Sequence, residues 1–211
     1  EIGEGLAPVL YSQAKGPHMT TLQPVSLRVA SNSAGAQSVV IRVALPEDVC
    51  GIASLTRAAS NEPEGHYIHR PGELPDLDRV RSRIAAARAS DRRLLLVAEF
   101  AGQIVGRLSM RGERRERLAH RGEFSILVAR EHRGTGIGTA MIRVMLAWVA
   151  EHPRLAKVSL NVGSTNTRAR RLYESLGFVV EGIRNRGIHL SDGRYVDDLL
   201  MSIWIDKPTI G

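Results

Sequence analysis

The 211-residue chain has a single cysteine, Cys50. An intrachain disulfide is thereby excluded, as is a cysteine-rich zinc site, and a reducing cytoplasm is the expected setting. Cys50 itself has no catalytic-cysteine surroundings and is expected as a small buried apolar residue in a helix. Aromatic side chains are only 4 % of the chain, and no basic run is interleaved with stacking rings as a nucleic-acid surface requires. No apolar run approaches the roughly 20 residues of a membrane helix. No secretory leader with basic, apolar and small-residue regions is visible, so no membrane partner is expected. Lysine is also scarce. It occurs only at Lys15, Lys157 and Lys207, so arginine supplies the other 26 of the 29 basic residues.

Against these absences, apolar residues make up 43 % and charged residues are spread throughout, which reads as one folded domain with a buried core. The formal net charge of +7 permits a nucleic acid or an acidic ligand as partner. The arginines, however, alternate with acids in segments such as 111–121 (RGERRERLAHR), which reads as a solvated hairpin.

Gly16-Pro17-His18-Met19 resembles the scar of a cloning vector, so residues 1–18 are set aside as a segment foreign to the fold, with Met19 as the natural start. Residues 19–38, rich in Ser, Thr, Ala and Gly, are expected to form a loose arm, and residues 39–207 the domain. Strands are expected at 39–45, 94–100, 103–110, 123–129, 157–162, 178–188 and 194–205. Helices are expected at 46–59, 77–90, 136–151 and 166–176. Ser191-Asp192-Gly193 is a hairpin-turn signal between the last two strands. This order predicts an α+β fold: a mixed, mostly antiparallel central sheet with helices on both faces. The final strand, exposed, invites a homodimer.

One segment concentrates chemistry. A strand ends near Val128, a short basic, glycine-rich turn follows, and a long amphipathic helix opens with Ile137, Met141, Val144 and Trp148 on one face. Free backbone N–H groups and the positive end of the helix dipole gather there. Gly134, Gly136 and Gly138 allow a ligand to approach the main chain, and Arg130 and Arg133 add charge. This is a pyrophosphate cradle. An ATP-type loop needs a Lys-Ser/Thr pair after its last glycine, where Thr139-Ala140 stands. A dinucleotide fingerprint needs a glycine at Thr139 and an acid about 20 residues on, near Asn161. Both fail on those residues.

Arg133-Gly134-Thr135-Gly136-Ile137-Gly138 resembles the R/Q-x-x-G-x-G/A motif of the GCN5-related N-acetyltransferase (GNAT) family. Asn166-Thr-Arg-Ala169-Arg-Arg-Leu172-Tyr173-Glu-Ser-Leu176-Gly177-Phe178 resembles that family's second motif, N-x-x-A-x-x-L-Y-E-x-x-G-F, at the right spacing from the first. The final hairpin, around residues 181–201, is similar to members acting on small amines and protein N-termini. The resemblance implies a GNAT-like fold and an N-acetyltransferase with acetyl-CoA as co-substrate, no metal, and a small-molecule or peptide amine as acceptor. It assigns the pyrophosphate to the backbone of Arg133, Gly134, Thr135, Gly136, Ile137, Gly138 and Thr139. It assigns the pantetheine arm to Ile126, Leu127 and Val128, on a strand splayed from its neighbour, and to Asn166. Asn161 is grouped with these expected cofactor contacts, and Tyr173 is placed at the thioester sulfur.

The chemistry agrees with these parts. An alkylamine is mostly protonated at neutral pH, so a base must take its proton, and Glu123 is the candidate. A strand amide near Val128 suits the developing oxyanion, and the hydroxyl of Tyr173 suits the departing thiolate. His120 is a weaker base candidate. His66 and His69 have the spacing of a metal pair but no further ligand nearby, and are expected in a surface or acceptor-side loop. The Asp197-Asp198 pair is read either as an attractor of a cationic amine or as a solubility device on an edge strand. Two other classes stay open: an inactive acyl-CoA sensor of the same fold, and a nucleic-acid-binding protein.

Overall fold

A computed structural model describes residues 22–29, 37–62, 76–190 and 192–206. The vector-like segment, the loop of His66 and His69, and Ser191 lie outside the described residues. Alternating apolar residues form β1 (Val25–Val29) and β2 (Gln37–Val43), paired antiparallel from Val25↔Ile41 to Val29↔Gln37. Part of the expected loose arm is therefore a sheet strand. Val25 and Leu27, two residues apart, share one face and pack against the core, a short alternation that the surrounding Ser, Ala and Gly obscure.

The chain continues through α1 (Val49–Ser60), α2 (Leu77–Arg88), β3 (Arg93–Phe100), β4 (Gln103–Gly112) and β5 (Arg121–Val128). It then forms α3 (Ile137–Glu151), β6 (Lys157–Gly163), α4 (Thr167–Ser175), β7 (Val179–His189) and β8 (Tyr195–Trp204). One eight-stranded sheet has the order β1-β2-β3-β4-β5-β6-β8-β7, with β5–β6 its parallel pair and the other described pairs antiparallel. This is the expected mixed sheet.

Alternation along β3 divides the core. Leu94, Leu96 and Ala98 pack with Ile137, Met141 and Met145 of α3, while Leu95 and Val97 pack with Ile52 of α1 and Val80 and Ile84 of α2. Each such side chain contributes about 1.5–3 kcal/mol by leaving water, which fixes helices to both faces. Ahead of α1, Arg42 bridges Asp48 (2.7 Å) and Glu99 (2.8 Å), and Asp48 accepts the Leu45 N–H (2.7 Å). α1 buries Val49, Ile52, Ala53 and Leu55. Cys50 falls off that stripe and is exposed, contrary to expectation, because 3.6-residue periodicity turns it outward.

The final strand is not an edge. β8 inserts between β6 and β7, burying Val196, Leu199 and Met201, and β7 takes the edge with Val179 and Ile183 exposed. The expectation of a homodimer through an exposed last strand loses its basis, as does the edge-strand reading of Asp197 and Asp198. Asp198 is buried against Arg184 (2.9 Å) and Asp197 accepts the Arg186 N–H (2.8 Å). Both carboxylates serve the β7 bulge, where Arg186 has a φ of 52°.

The feature that positions the site is a parting of strands. β5 stays paired with β4 as far as Val128, and β6 stays paired with β8 as far as Gly163. The β5–β6 register covers only Arg121↔Lys157, Gly122↔Val158 and Glu123↔Ser159. Beyond Glu123 a wedge opens between them.

Candidate active site

A cleft of about 600 Å³ borders the β5 side of this wedge, lined by Ile126, Leu127 and Val128, by the glycine turn and by α4. The Ala129 N–H donates to the Val105 carbonyl (2.8 Å). By the alternation of an antiparallel ladder, the main-chain groups of Ile126 and Val128 point the other way, into the wedge. Apart from the Val128 carbonyl, which accepts the Arg133 Nε–H (3.0 Å), they are the donors and acceptors that a ligand in the gap would meet.

At the turn, Gly134 and Gly136 have φ of 85° and 89°, a region that β-carbons disfavour. Gly136 is the N-cap of α3, and a Cβ added to it would meet nothing within 4 Å. The space above it is cleft. Gly138 is different: a Cβ there would make ordinary contact with Leu172 at 3.4 Å and with Ile126 and Val128 at 3.9 Å, so the position packs closely but a methyl fits, as the G/A of the motif allows. Thr135 braces the turn by donating its hydroxyl to the His132 carbonyl (2.7 Å). Ile137 turns its side chain into the core, 1 % exposed, so only its main chain belongs to the turn. Thr139 and Asn166 line the cleft, and Asn166 caps α4 by accepting the Ala169 N–H (3.1 Å).

Tyr173 closes the deep end of the cleft. Its ring is held edge-on by Phe124 and Phe178 at centroid distances of 6.0 Å. Burial pushes its hydroxyl pKa up to about 12, so the hydroxyl keeps its proton at neutral pH.

The side chain of Arg133 does not act as expected. Its Nε donates to the Val128 carbonyl (3.0 Å) and its Nη2 pairs with Glu62 (2.5 Å). It ties the end of β5 to the end of α1, and its charge is met there. Arg133→Ala is expected to lower stability by about 1–3 kcal/mol, because Glu62, 12 % exposed, loses its cation. Urea unfolding with an unchanged slope measures this; a loss below about 0.5 kcal/mol would mean that solvent screens the pair.

The sequence did not point to Glu62, His132 or Arg168, all of which line the cleft. Arg168 lies over the turn, with Nη2 3.1 Å from where a Gly134 Cβ would stand. It occupies one of the unspecified positions of the second motif, so the motif could not flag it. Glu62 is 71 residues from its partner.

Glu123 is not gathered into this cleft. It lies at the vertex of the wedge on the opposite face of the sheet from Phe124, lining a second cavity of about 430 Å³ with Arg93, Arg111, Arg121 and Ser159. Asn161 is exposed on β6, opposite Leu200, and does not line the cleft. His120 stacks on Trp204 (5.8 Å), also outside it. Among the described residues no group of three or more His, Cys, Asp or Glu could hold a metal, and no helix is long and apolar enough to cross a membrane.

Residues 44–178 match the Acetyltransferase (GNAT) family. The L-amino acid N-acetyltransferase of Escherichia coli K12 is 31 % identical over 107 residues, which is 51 % of this chain and 65 % of that protein. The spermidine N(1)-acetyltransferase of Vibrio cholerae is 38 % identical over 85 residues, 40 % of this chain and 49 % of that protein. The chain thus spans less than two thirds of either curated relative. Among solved structures, a GNAT-family acetyltransferase from Streptococcus pneumoniae superposes with a TM-score of 0.74 at 25 % identity, covering 80 % of this chain and 99 % of that one. An acetyltransferase from Salmonella typhimurium, solved with its cofactor acetyl-CoA, shares the fold with a TM-score of 0.70 at 22 % identity, covering 81 % and 96 %.

Proposed function

Because the chain belongs to the acetyltransferase (GNAT) family, we propose that it transfers an acetyl group from acetyl-CoA to a primary amine by direct attack in a ternary complex. The observation that carries this reading is the wedge between β5 and β6, which runs from a left-handed glycine turn to a buried, protonated tyrosine. Acetyl-CoA supplies the activated acyl group; everything else falls to the chain. The amides of residues 134–139 and the start of α3 hold the pyrophosphate, with Arg168 beside them. The main-chain groups of Ile126 and Val128 hold the arm and, at the reacting end, meet the carbonyl oxygen as it gains charge.

Glu123 and Tyr173 stand on opposite faces of the sheet at the vertex. Glu123 takes a proton from the acceptor ammonium, the amine nitrogen bonds to the acetyl carbon as the carbon–sulfur bond breaks, and Tyr173 gives its proton to the thiolate. The second proton that the nitrogen sheds on becoming an amide returns through solvent to Tyr173, while Glu123 releases the first to solvent. Proton and electron pair are thereby accounted for without a covalent enzyme intermediate. A cytoplasmic setting and the absence of a resident metal belong to the same reading.

Thermal melting with acetyl-CoA, CoA, ATP and NAD in parallel tests the cofactor class. A ligand at about 100 times its Kd adds about 2.7 kcal/mol, and the CoA species alone are expected to raise Tm. A shift with ATP or NAD instead, or none with CoA, would overturn the reading.

A further inference from the structure

The second cavity carries more than Glu123. Arg93 of β3 stands opposite Arg111 of β4, Arg111 opposite Glu123 of β5, and Glu123 opposite Ser159 of β6. The four form a single row on one face of the sheet and line one cavity. Directly opposed side chains have Cβ atoms about 4.5–5.5 Å apart, and like charges so placed destabilise a sheet. The Arg93–Arg111 juxtaposition therefore calls for an anion between them. No described carboxylate provides it by an ion pair. Glu113, the other acid of the cavity, is taken by Arg115 (2.6 Å) and accepts the Arg114 N–H (2.8 Å). Arg114 and Arg121 add further positive charge to the walls.

The position of the row is as telling as its charge. Residues 121–123 of β5 line this cavity and residues 126–128 line the cofactor cleft. The two spaces are about 10 Å apart along one strand and meet where β5 and β6 part. A donor arm lying in the wedge would reach the vertex from one side, and an acceptor in this cavity would reach it from the other.

We propose that this cavity is the acceptor site and selects an amine that bears its own carboxylate, of the α-amino-acid kind. The amine is held at Glu123 and the carboxylate between Arg93 and Arg111. The neighbouring opposite charges of Glu123 and Arg111 match the two ends of a zwitterion. A polyamine would set further cations against the guanidiniums. The proposal rests on the reading of Glu123 as the base at the acceptor side.

Its test uses matched pairs: L-amino acids and their C-terminal amides, with spermidine alongside, followed by thiol release from acetyl-CoA. The amino acids are expected to exceed their amides by tenfold or more in kcat/KM, chiefly through KM. Arg111→Ala is expected to raise KM for the acid at least about tenfold, the range for losing a hydrogen bond to a charged group, and so to bring the acid-to-amide ratio down by the same factor. Equal or better turnover of the amides or of spermidine, or an acid-to-amide ratio untouched by Arg111→Ala, would overturn the proposal. Binding of N-acetyl-L-amino acids against their amides to the CoA-loaded protein, followed by NMR, judges the cavity without turnover. Acids alone should bind, and equal or absent binding counts against it. Glu123→Gln separates the two readings. Loss of turnover for all acceptors with the acid preference kept in the NMR binding measurement supports both; unchanged turnover removes Glu123 as base, and the acid-to-amide ratio still decides the cavity.

Discussion

Gly136→Glu is expected to abolish CoA binding while leaving the domain folded. The residue caps α3 with a φ of 89°, and its missing Cβ points into open cleft. A β-carbon there costs about 1–2 kcal/mol in backbone strain and meets no side chain. The carboxylate would project toward the space assigned to the pyrophosphate. One pair of like charges about 4 Å apart opposes binding by about 4 kcal/mol at an effective dielectric near 20, or about three orders of magnitude in Kd. Gly136→Ala separates strain from charge and should weaken binding far less. Calorimetry with CoA is the measurement, and an unchanged affinity in the glutamate variant would mean that this turn does not hold the pyrophosphate.

The second large effect belongs to Tyr173. Tyr173→Phe keeps the ring that packs edge-on against Phe124 and Phe178 and deletes only the hydroxyl. Loss of a positioned proton donor lowers kcat by about a hundred- to ten-thousand-fold, whereas Kd for CoA should change little. An unchanged kcat would reduce the residue to packing. The pH dependence carries a sign. Burial raises the hydroxyl from its ordinary 10.0 to about 12, so the protonated form persists through neutral pH and activity that depends on it falls only as pH rises toward 12. The stability that the buried neutral phenol contributes is likewise complete below pH 10 and lost between pH 10 and 12.

Much of the cofactor side was legible in the chain because it is local. Gly134 and Gly136 adopt positive φ within one turn, the N–H groups they release belong to the next helix, and Asn166 caps α4 from within its own segment. The alternation along β3 and the 3.6-residue stripes of α1 and α3 likewise state which residues face inward. Cys50 turns outward, against expectation, because a single residue near a helix start can fall to either side of such a stripe. The strand in the arm before β2 is not legible because two apolar residues give too little alternation to announce it.

The sequence by itself thus determined the elements from β2 onward, the fold class, the glycine turn and the tyrosine helix, since each depends on residues a few positions apart. Tertiary structure alone decided the rest. It placed β8 rather than β7 beside β6 and ended the β5–β6 register at Glu123. It spent the charge of Arg133 on Glu62 and set Arg93 and Arg111 in line with Glu123. These contacts join residues far apart in the chain. Hydrogen-bond register and the packing of whole elements bring them together, and no local propensity encodes either.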